Sequence, residues 1–482
     1  MATIRDCRHR TPDTGHRTPA PVFGLSPEWL LHDGEPVAAA TVLSHPEQLA
    51  RLRASCPEAV PTAVLAGDPC FDRLLAALPY RDRFRRALGT APGRRLIVLN
   101  STWGPRSLFG DENDILPWLL ARLPAELPVD EYRLCAVLHP NIWHGHGPGQ
   151  VRAWLHAAQR AGLTLVPPLG PWRQVLAAAD AVIGDHGSVT YYAAAIGTPV
   201  LLGAFPPQDL DPDSPVAALG RLAPRLRPQE PLLPQLDALL TTHDPDRYAR
   251  LAEQTTSAPG ASATLLRRAF YRLLSLPEPR TPACLPRLLD PPPGTAPLCP
   301  PPAPLGALTR LLGPGPDGTP EIAVTRCAGT PPPSSPYAYE SACRDRRDPA
   351  PDLHPSAHTA VHEDTPDPGQ LALADIVLHH ARSEPEAWTH DALRRHPHCA
   401  MAACVTTPGS CLIRTADGHL LTLEAAPGPD GYRDPCDPTA YASALYAWYE
   451  AGRPLKDLAP GFVTVTGRTR HHIKLSVIAS PV

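Results

Sequence analysis

Between Arg94 and Phe205 the chain alternates between short runs that are apolar throughout and longer stretches with a helical period. RRLIVLN precedes DENDILPWLLARL, YRLCAVLHP precedes GQVRAWLHAAQRAG, LTLVPP precedes PWRQVLAAAD, and AVIGDHG precedes SVTYYAAAIG, before PVLLGAF closes the series. A strand that is apolar on both faces must be covered on both faces, and strands separated by helices pair in parallel. The pattern predicts an α/β fold with a Rossmann-like parallel sheet. The helix after Gln150 carries Val151, Trp154, Leu155 and Ala158 on one stripe and is stopped by Gly162.

The flanks divide the rest. Residues 1–60 offer a strand and a helix in AATVLSHPEQLARLRASC, where Ser44 and Glu47 have the spacing of a capping box. The α/β domain is expected over 61–276. Residues 277–369 hold runs such as LDPPPGTAPLCPPPAP and AGTPPPSSP, which supply few backbone donors and little apolar surface. They read as an extended linker, with LGALTRLLG as a short helix inside it. Residues 370–482 read as a small α+β domain. LALADIVLHHAR is expected helical and CLIRTADGHLLTLEA a hairpin. DPTAYASALYAWYEAG is expected to be a helix capped by Asp437 and stopped by Gly452, with GFVTVTG and IKLSVIAS as two further strands. This domain lies free of the presumed chemistry and is a place for a protein partner.

Composition excludes several classes. A formal net charge of −4 gives no nucleic-acid footprint, and no apolar run reaches the length of a membrane span. The start has no signal-peptide core, and the 12 cysteines include no Cys-x-x-Cys pair. A reducing, cytoplasmic setting follows as the expectation, with neither a metal nor a cofactor.

Chemistry is expected at the carboxyl ends of the strands, where open parallel sheets take their ligands. After the strand that includes Ala181 comes the turn Asp185-His186-Gly187-Ser188-Val189-Thr190. The first amides of the following helix have no helical partner and favour an anion, above all a phosphate. Gly187 lets the backbone come close, and the hydroxyls of Ser188 and Thr190 can add bonds. The plain alternative is an ordinary capped turn. His139 follows a second strand, in LHPNIWHGHGPG, where it can serve as acid–base group or phosphate ligand. His139, His144 and His146 also have a spacing that permits a metal, but no acidic partner lies nearby. Ser101 and Thr102, in LNSTWGPRSLFG, can donate to a ligand, and Trp103 can stack on one or simply pack beside the turn.

Together, AVLAGDPCFDRLL, VLNSTWGPRSLFG, VLHPNIW and ADAVIGDHGSVTYYAAAIGTPVLL resemble the nucleotide-binding, C-terminal-type domain of GT-B fold transferases. The resemblance is nearest to the CDP-glycerol glycerophosphotransferase-like proteins, with UDP-N-acetylglucosamine 2-epimerases as cousins. It runs over roughly Val42 to Leu276 and rests on Gly67-Asp68-Pro69, His139-Pro140, and Asp185 with Gly187-Ser188. It implies a transferase using a nucleotide-activated donor, CDP-glycerol or a nucleotide sugar. The diphosphate would lie on the amides of Gly187, Ser188 and Val189, His139 would act in chemistry or on phosphate, and Asp185 would orient the turn. Two departures stand out. Thr190-Tyr191-Tyr192-Ala193 holds no carboxylate where the family usually has one, and the stretch before AVLAG suffices only for a remnant of the first GT-B domain. Both leave a second reading open, a non-catalytic ligand-binding scaffold. A hydrolase with Ser188 as nucleophile would need Gly-x-Ser-x-Gly spacing, which GDHGSVT lacks.

Overall fold

The computed structural model describes residues 24–112, 115–291, 302–328, 356–380, 383–429, 431, 433–434 and 436–480. The chain forms two units. One contains the residues up to Pro69 with Pro206–Ala218 and Gln254–Cys284; the other contains Cys70–Phe205, Leu219–Glu253 and Leu285–Val482.

In the first unit, β1 (Thr41–Leu43) and β2 (Ala63–Leu65) pair in parallel around α1 (Pro46–Ser55). Leu43 and Leu52 pack with Leu25, Cys56 and Ala59. The cap of α1 lies one residue beyond the expected box. His45 is the N-cap, and its Nδ1 accepts from the Glu47 amide at 3.1 Å. Gln48 reaches back to the Ser44 amide at 2.8 Å. Pro46 takes the first helical position, which leaves Glu47 to pair with Arg51 one turn on, at 2.8 Å.

The second unit holds the parallel sheet. Its elements are β3 (Arg95–Ser101), α2 (Ile115–Glu126), β4 (Tyr132–Leu138), α3 (Pro140–His146), α4 (Pro148–Arg160), β5 (Leu163–Val166), α5 (Trp172–Ala178), β6 (Ala181–Gly184), α6 (Ser188–Ala195) and β7 (Val200–Leu202). The order across the sheet is β5-β4-β3-β6-β7, and every neighbouring pair is parallel. The strands are buried on both faces, as their unbroken apolar runs require. Connections run from β3 outward in both directions, so the carboxyl ends of β3, β4 and β6 border the crevice where the order reverses. Trp154 departs from its expected place on the buried stripe of α4 and is 42% exposed, while Val151, Leu155 and Ala158 are buried.

The remaining strands of this unit correct the linker reading. β8 (Leu305–Pro314), β9 (Pro320–Ala328), β10 (Ser356–His362), β11 (Ile376–His380), β12 (Met401–Thr407), β13 (Ser410–Thr415), β14 (Leu420–Ala425), β15 (Gly461–Thr466) and β16 (Thr469–Ala479) close into one barrel. LGALTRLLG is therefore strand β8 rather than a helix, and the middle of LALADIVLHHAR is strand β11. The other parts of the expected linker, 292–301 and 329–355, lie outside the described residues. Helix α7 (Pro385–Arg395) covers the outside of the barrel near Val377 and Ala402. Helix α8 (Pro438–Glu450) is buried from Pro438 to Trp448 and fills the interior. The Asp437 side chain caps α8 by accepting from the Thr439 amide at 3.0 Å.

Arg326 of β9 joins barrel and sheet within this unit. Its side chain is fully buried, and it donates to both oxygens of Asp130 at 2.8 and 2.6 Å, to Asp437 at 3.1 Å, and to the Thr439 hydroxyl. Beside it, at the amino ends of β3 and β4, a cavity of about 610 Å³ is lined by Arg94, Asp130, Glu131, Asp237, Asp437 and His471 among others. Among the described residues no helix is long and apolar enough to cross a membrane.

Candidate functional site

Asp185 organises the turn between β6 and α6. Its side chain is buried, and its oxygens accept from the backbone amides of Thr102 at 2.9 Å, Leu108 at 2.9 Å and Gly187 at 3.0 Å. The Ser101 hydroxyl lies 3.2 Å from the same carboxylate and itself accepts from the Phe109 amide at 2.9 Å. Burial pushes the Asp185 carboxyl up, against the three amides and the neighbouring His186. One buried carboxylate thus ties the loop after β3 to the start of α6.

Thr190 completes the fastening. It is fully buried, and its hydroxyl accepts from Asn100 Nδ2 at 2.8 Å and from the Asp185 amide at 3.3 Å. Both glycines of the turn are fixed by crowding. A Cβ on Gly184 would stand 2.3 Å from the Thr190 hydroxyl, and one on Gly187 would stand 2.8 Å from Thr102.

A cleft of about 330 Å³ opens over these strand ends. Ser101, Thr102, His139, Gly187, Ser188 and Val189 of the expected set line it, whereas Asp185, His186 and Thr190 do not. His186 instead meets Phe205, with ring centres 6.4 Å apart and planes 87° apart. The Ser101 hydroxyl and the Gly187 amide are already engaged with Asp185, so neither is open to a ligand as expected. Among the described residues lining the cleft, unengaged donors include the amides of Ser188 and Val189 in the first turn of α6 and the hydroxyls of Thr102 and Ser188.

His139 caps α3, because its Nδ1 accepts from the Asn141 amide at 3.1 Å. An Nδ1 that accepts leaves the proton of the neutral ring on Nε2, which makes His139 a donor toward the cleft it lines. Burial pushes its pKa below the usual range, against the attraction of Asp185, and favours that neutral ring. The His- and Gly-rich stretch after it forms helix α3, with His144 and His146 in the last turn. Trp103, half exposed, tilts over His139 with ring centres 6.3 Å apart.

Sequence reading passed over two members of the cleft and one cation behind its wall. Tyr192 lines it one helical turn after Ser188, a spacing that itself puts both on one face. Trp172 reaches it from the segment after β5. Arg173 stacks on Trp172 at 4.3 Å and donates to the Sγ of Cys70, another lining residue, at 3.3 Å. It sets a positive charge against two lining residues of a cleft whose described lining holds no Asp, Glu, Lys or Arg.

No protein-family model matches the sequence, and no curated protein matches it. Among solved structures it is similar to the wall teichoic acid polymerase TagF, at 14% identity and a TM-score of 0.32, over 49% of this chain and 59% of that one. It is also similar to a putative UDP-N-acetylglucosamine 2-epimerase from Listeria monocytogenes, at 17% identity and a TM-score of 0.33, over 51% of this chain and 63% of that one. A glycosyltransferase from Rickettsia africae is similar at 10% identity and a TM-score of 0.30, over 50% and 64%. The chain thus spans less than two thirds of each of these proteins, and at such scores the site stands on its own geometry.

Proposed function

We propose that this chain is a GT-B-type transferase domain that binds a nucleotide-activated donor, CDP-glycerol or a nucleotide sugar, with the donor diphosphate in the cleft. The observation that carries the reading is the convergence of unengaged donors, the Ser188 and Val189 amides and the Thr102 hydroxyl, on a cleft lined by His139. In this reading the α6 amides hold phosphate oxygens and neutral His139 donates from Nε2 to another. Arg173 supplies charge from behind Trp172 and Cys70, and Trp172 and Tyr192 offer faces to the base or sugar. As the bond to the transferred group breaks, charge grows on the departing phosphate, that of the nucleoside diphosphate from a nucleotide sugar or of CMP from CDP-glycerol, and donors already aimed there stabilise it with no covalent intermediate. Acting as a base would require Nδ1 of His139 to carry the proton and surrender its cap on α3. A phosphate-ligand role therefore suits His139 better than a base role.

A second reading, ligand binding without turnover, is favoured by the lack of a carboxylate among the described residues lining the cleft. Thermal unfolding with CDP, UDP, GDP and ADP tests the binding, and release of nucleotide from CDP-glycerol and UDP-sugars separates the two readings. A ligand at about 100 times its Kd stabilises by roughly 2.7 kcal/mol. Ser188→Pro removes one amide at a helical position that tolerates proline, and it should abolish the shift, whereas Ser188→Ala should keep most of it. No shift in the parent chain with any of the four nucleotides would sink both readings.

A further inference from the structure

Away from the cleft, three imidazoles and a carboxylate gather where β10 ends. β10 and β11 are parallel neighbours, with Ala360, Val361 and His362 opposite Ile376, Val377 and Leu378. Past that register come His379 and His380 on β11 and Asp364 in the turn after β10. One ligand atom from each of His362, Asp364 and His379 lies within 4.8 Å of the other two. Nε2 of His362 faces Nδ1 of His380 at 3.3 Å.

We propose that His362, Asp364 and His379 bind a divalent transition-metal ion of the zinc class. Two imidazoles with one carboxylate form a nitrogen and oxygen donor set that suits Zn²⁺. Metal–ligand bonds of about 2.0–2.1 Å in a tetrahedron put ligand atoms about 3.3 Å apart. The ligand atoms of His362, Asp364 and His379 lie within 4.8 Å of one another, so they need to close by at most about 1.5 Å to reach that spacing.

The surroundings hold the ligands as metal sites require. The His379 ring stacks on Trp388 of α7 at 4.9 Å with planes 21° apart. Trp388 is anchored through its Nε1, which donates to Glu363 at 2.5 Å, and Glu363 is paired in turn with Arg395. Contacts of this kind fix a ligand ring before the ion arrives. Nδ1 of His379 is buried and meets no partner among the described residues, so the cluster holds a ring nitrogen whose bonding capacity the protein leaves unused. The Asp364 side chain is 67% exposed, which gives an ion access. Bound there, the ion would clasp β10 to β11 where their backbone pairing stops.

The test titrates the chelator-stripped full chain with Zn²⁺ against a chromophoric competitor, beside Asp364→Asn, His379→Gln and the double variant His144→Gln/His146→Gln. Loss of outer contacts alone weakens metal sites by about 10–100-fold, so loss of a direct ligand should weaken this one at least ~10-fold. The proposal expects one site in the parent chain and the His144/His146 variant, weakened in Asp364→Asn and His379→Gln, with Co²⁺ giving visible bands that both lose. Asp364 is exposed, so its variant keeps the fold and decides the matter if His379→Gln does not. No Zn²⁺ site in the parent chain, or the same count and affinity in Asp364→Asn, would overturn it.

Discussion

Glu131 offers a measurement whose size follows from the structure. It stands at the amino end of β4 on the cavity beside Arg326. Burial raises its carboxyl from an ordinary 4.5 to about 7, the charges of Asp130 and Asp237 add to the effect, and Arg95 opposes them. The native state therefore holds the proton more tightly than the unfolded chain does. Between about pH 4.5 and pH 7 it binds more protons than the unfolded chain, so stability from this group falls as pH rises through that window. The loss is complete above the folded value. A shift of roughly 2.5 units at about 1.36 kcal/mol each amounts to about 3 kcal/mol. Glu131→Gln keeps the shape and removes the titration. It should match the parent chain near pH 4.5 and exceed it by up to about 3 kcal/mol at pH 8. Urea unfolding of both proteins from pH 4.5 to pH 8 reads the difference directly, and other groups cancel in it. A difference that stays constant over that range would show that Glu131 is hydrated in its cavity and titrates normally.

Arg326→Met should cost about 3–5 kcal/mol in urea unfolding, because Asp130 and Asp437 are left without the cation that they share; Asp130→Asn in the same chain should recover part of the loss. Asp185→Asn should destabilise by several kcal/mol, since one amide oxygen cannot serve the Thr102, Leu108 and Gly187 amides together, and each buried donor left unmet costs about 1–3 kcal/mol; unfolding within 1 kcal/mol of the parent would remove Asp185 as the fastener. Arg173→Gln should weaken nucleoside diphosphate binding and flatten its salt dependence without lowering the melting temperature of the free chain; a salt dependence equal to the parent's would exclude the guanidinium from the ligand site.

The parallel sheet was legible because its strands are buried on both faces, which writes them as uninterrupted apolar runs. The barrel was not, for a reason visible in β8. Its core side alternates as Leu305, Ala307, Thr309 and Leu311, while Leu308 falls on the other side. The leucines, spaced three apart, look helical, and the true period of two is carried partly by a small residue and a hydroxyl. β11 hides differently. It lies between parallel neighbours with both faces covered, so IVLHH shows no alternation and lengthens into an apparent helix with the residues before it. That misreading also concealed the histidine cluster, since His379 and His380 meet His362 only when all three sit at the ends of adjacent strands. In the cleft, His139 and the α6 amides were readable from their places after strands. Which polar groups remain for a ligand was not, because that depends on the hydrogen bonds Asp185 makes to a loop about 80 residues earlier in the chain.

Those bonds explain why a polar turn lies between an apolar strand and an apolar helix. The loop after β3 has inward-facing amides at Thr102 and Leu108 that no strand partner satisfies, and the turn before α6 has another at Gly187. A single carboxylate meets all three, and the Thr190 hydroxyl receives Asn100 from the end of β3. The interior demands of the turn are thus met by Asp185 and Thr190, on the side away from the cleft. Ser188, Val189 and Thr102 are left with donors that the protein itself does not use, held rigidly on the open side. A site whose donors are idle in the free protein gives up no internal hydrogen bond when an anion arrives. The division of labour within one turn therefore separates two kinds of substitution: changes at Asp185 should register first in stability, and changes at Ser188 first in binding.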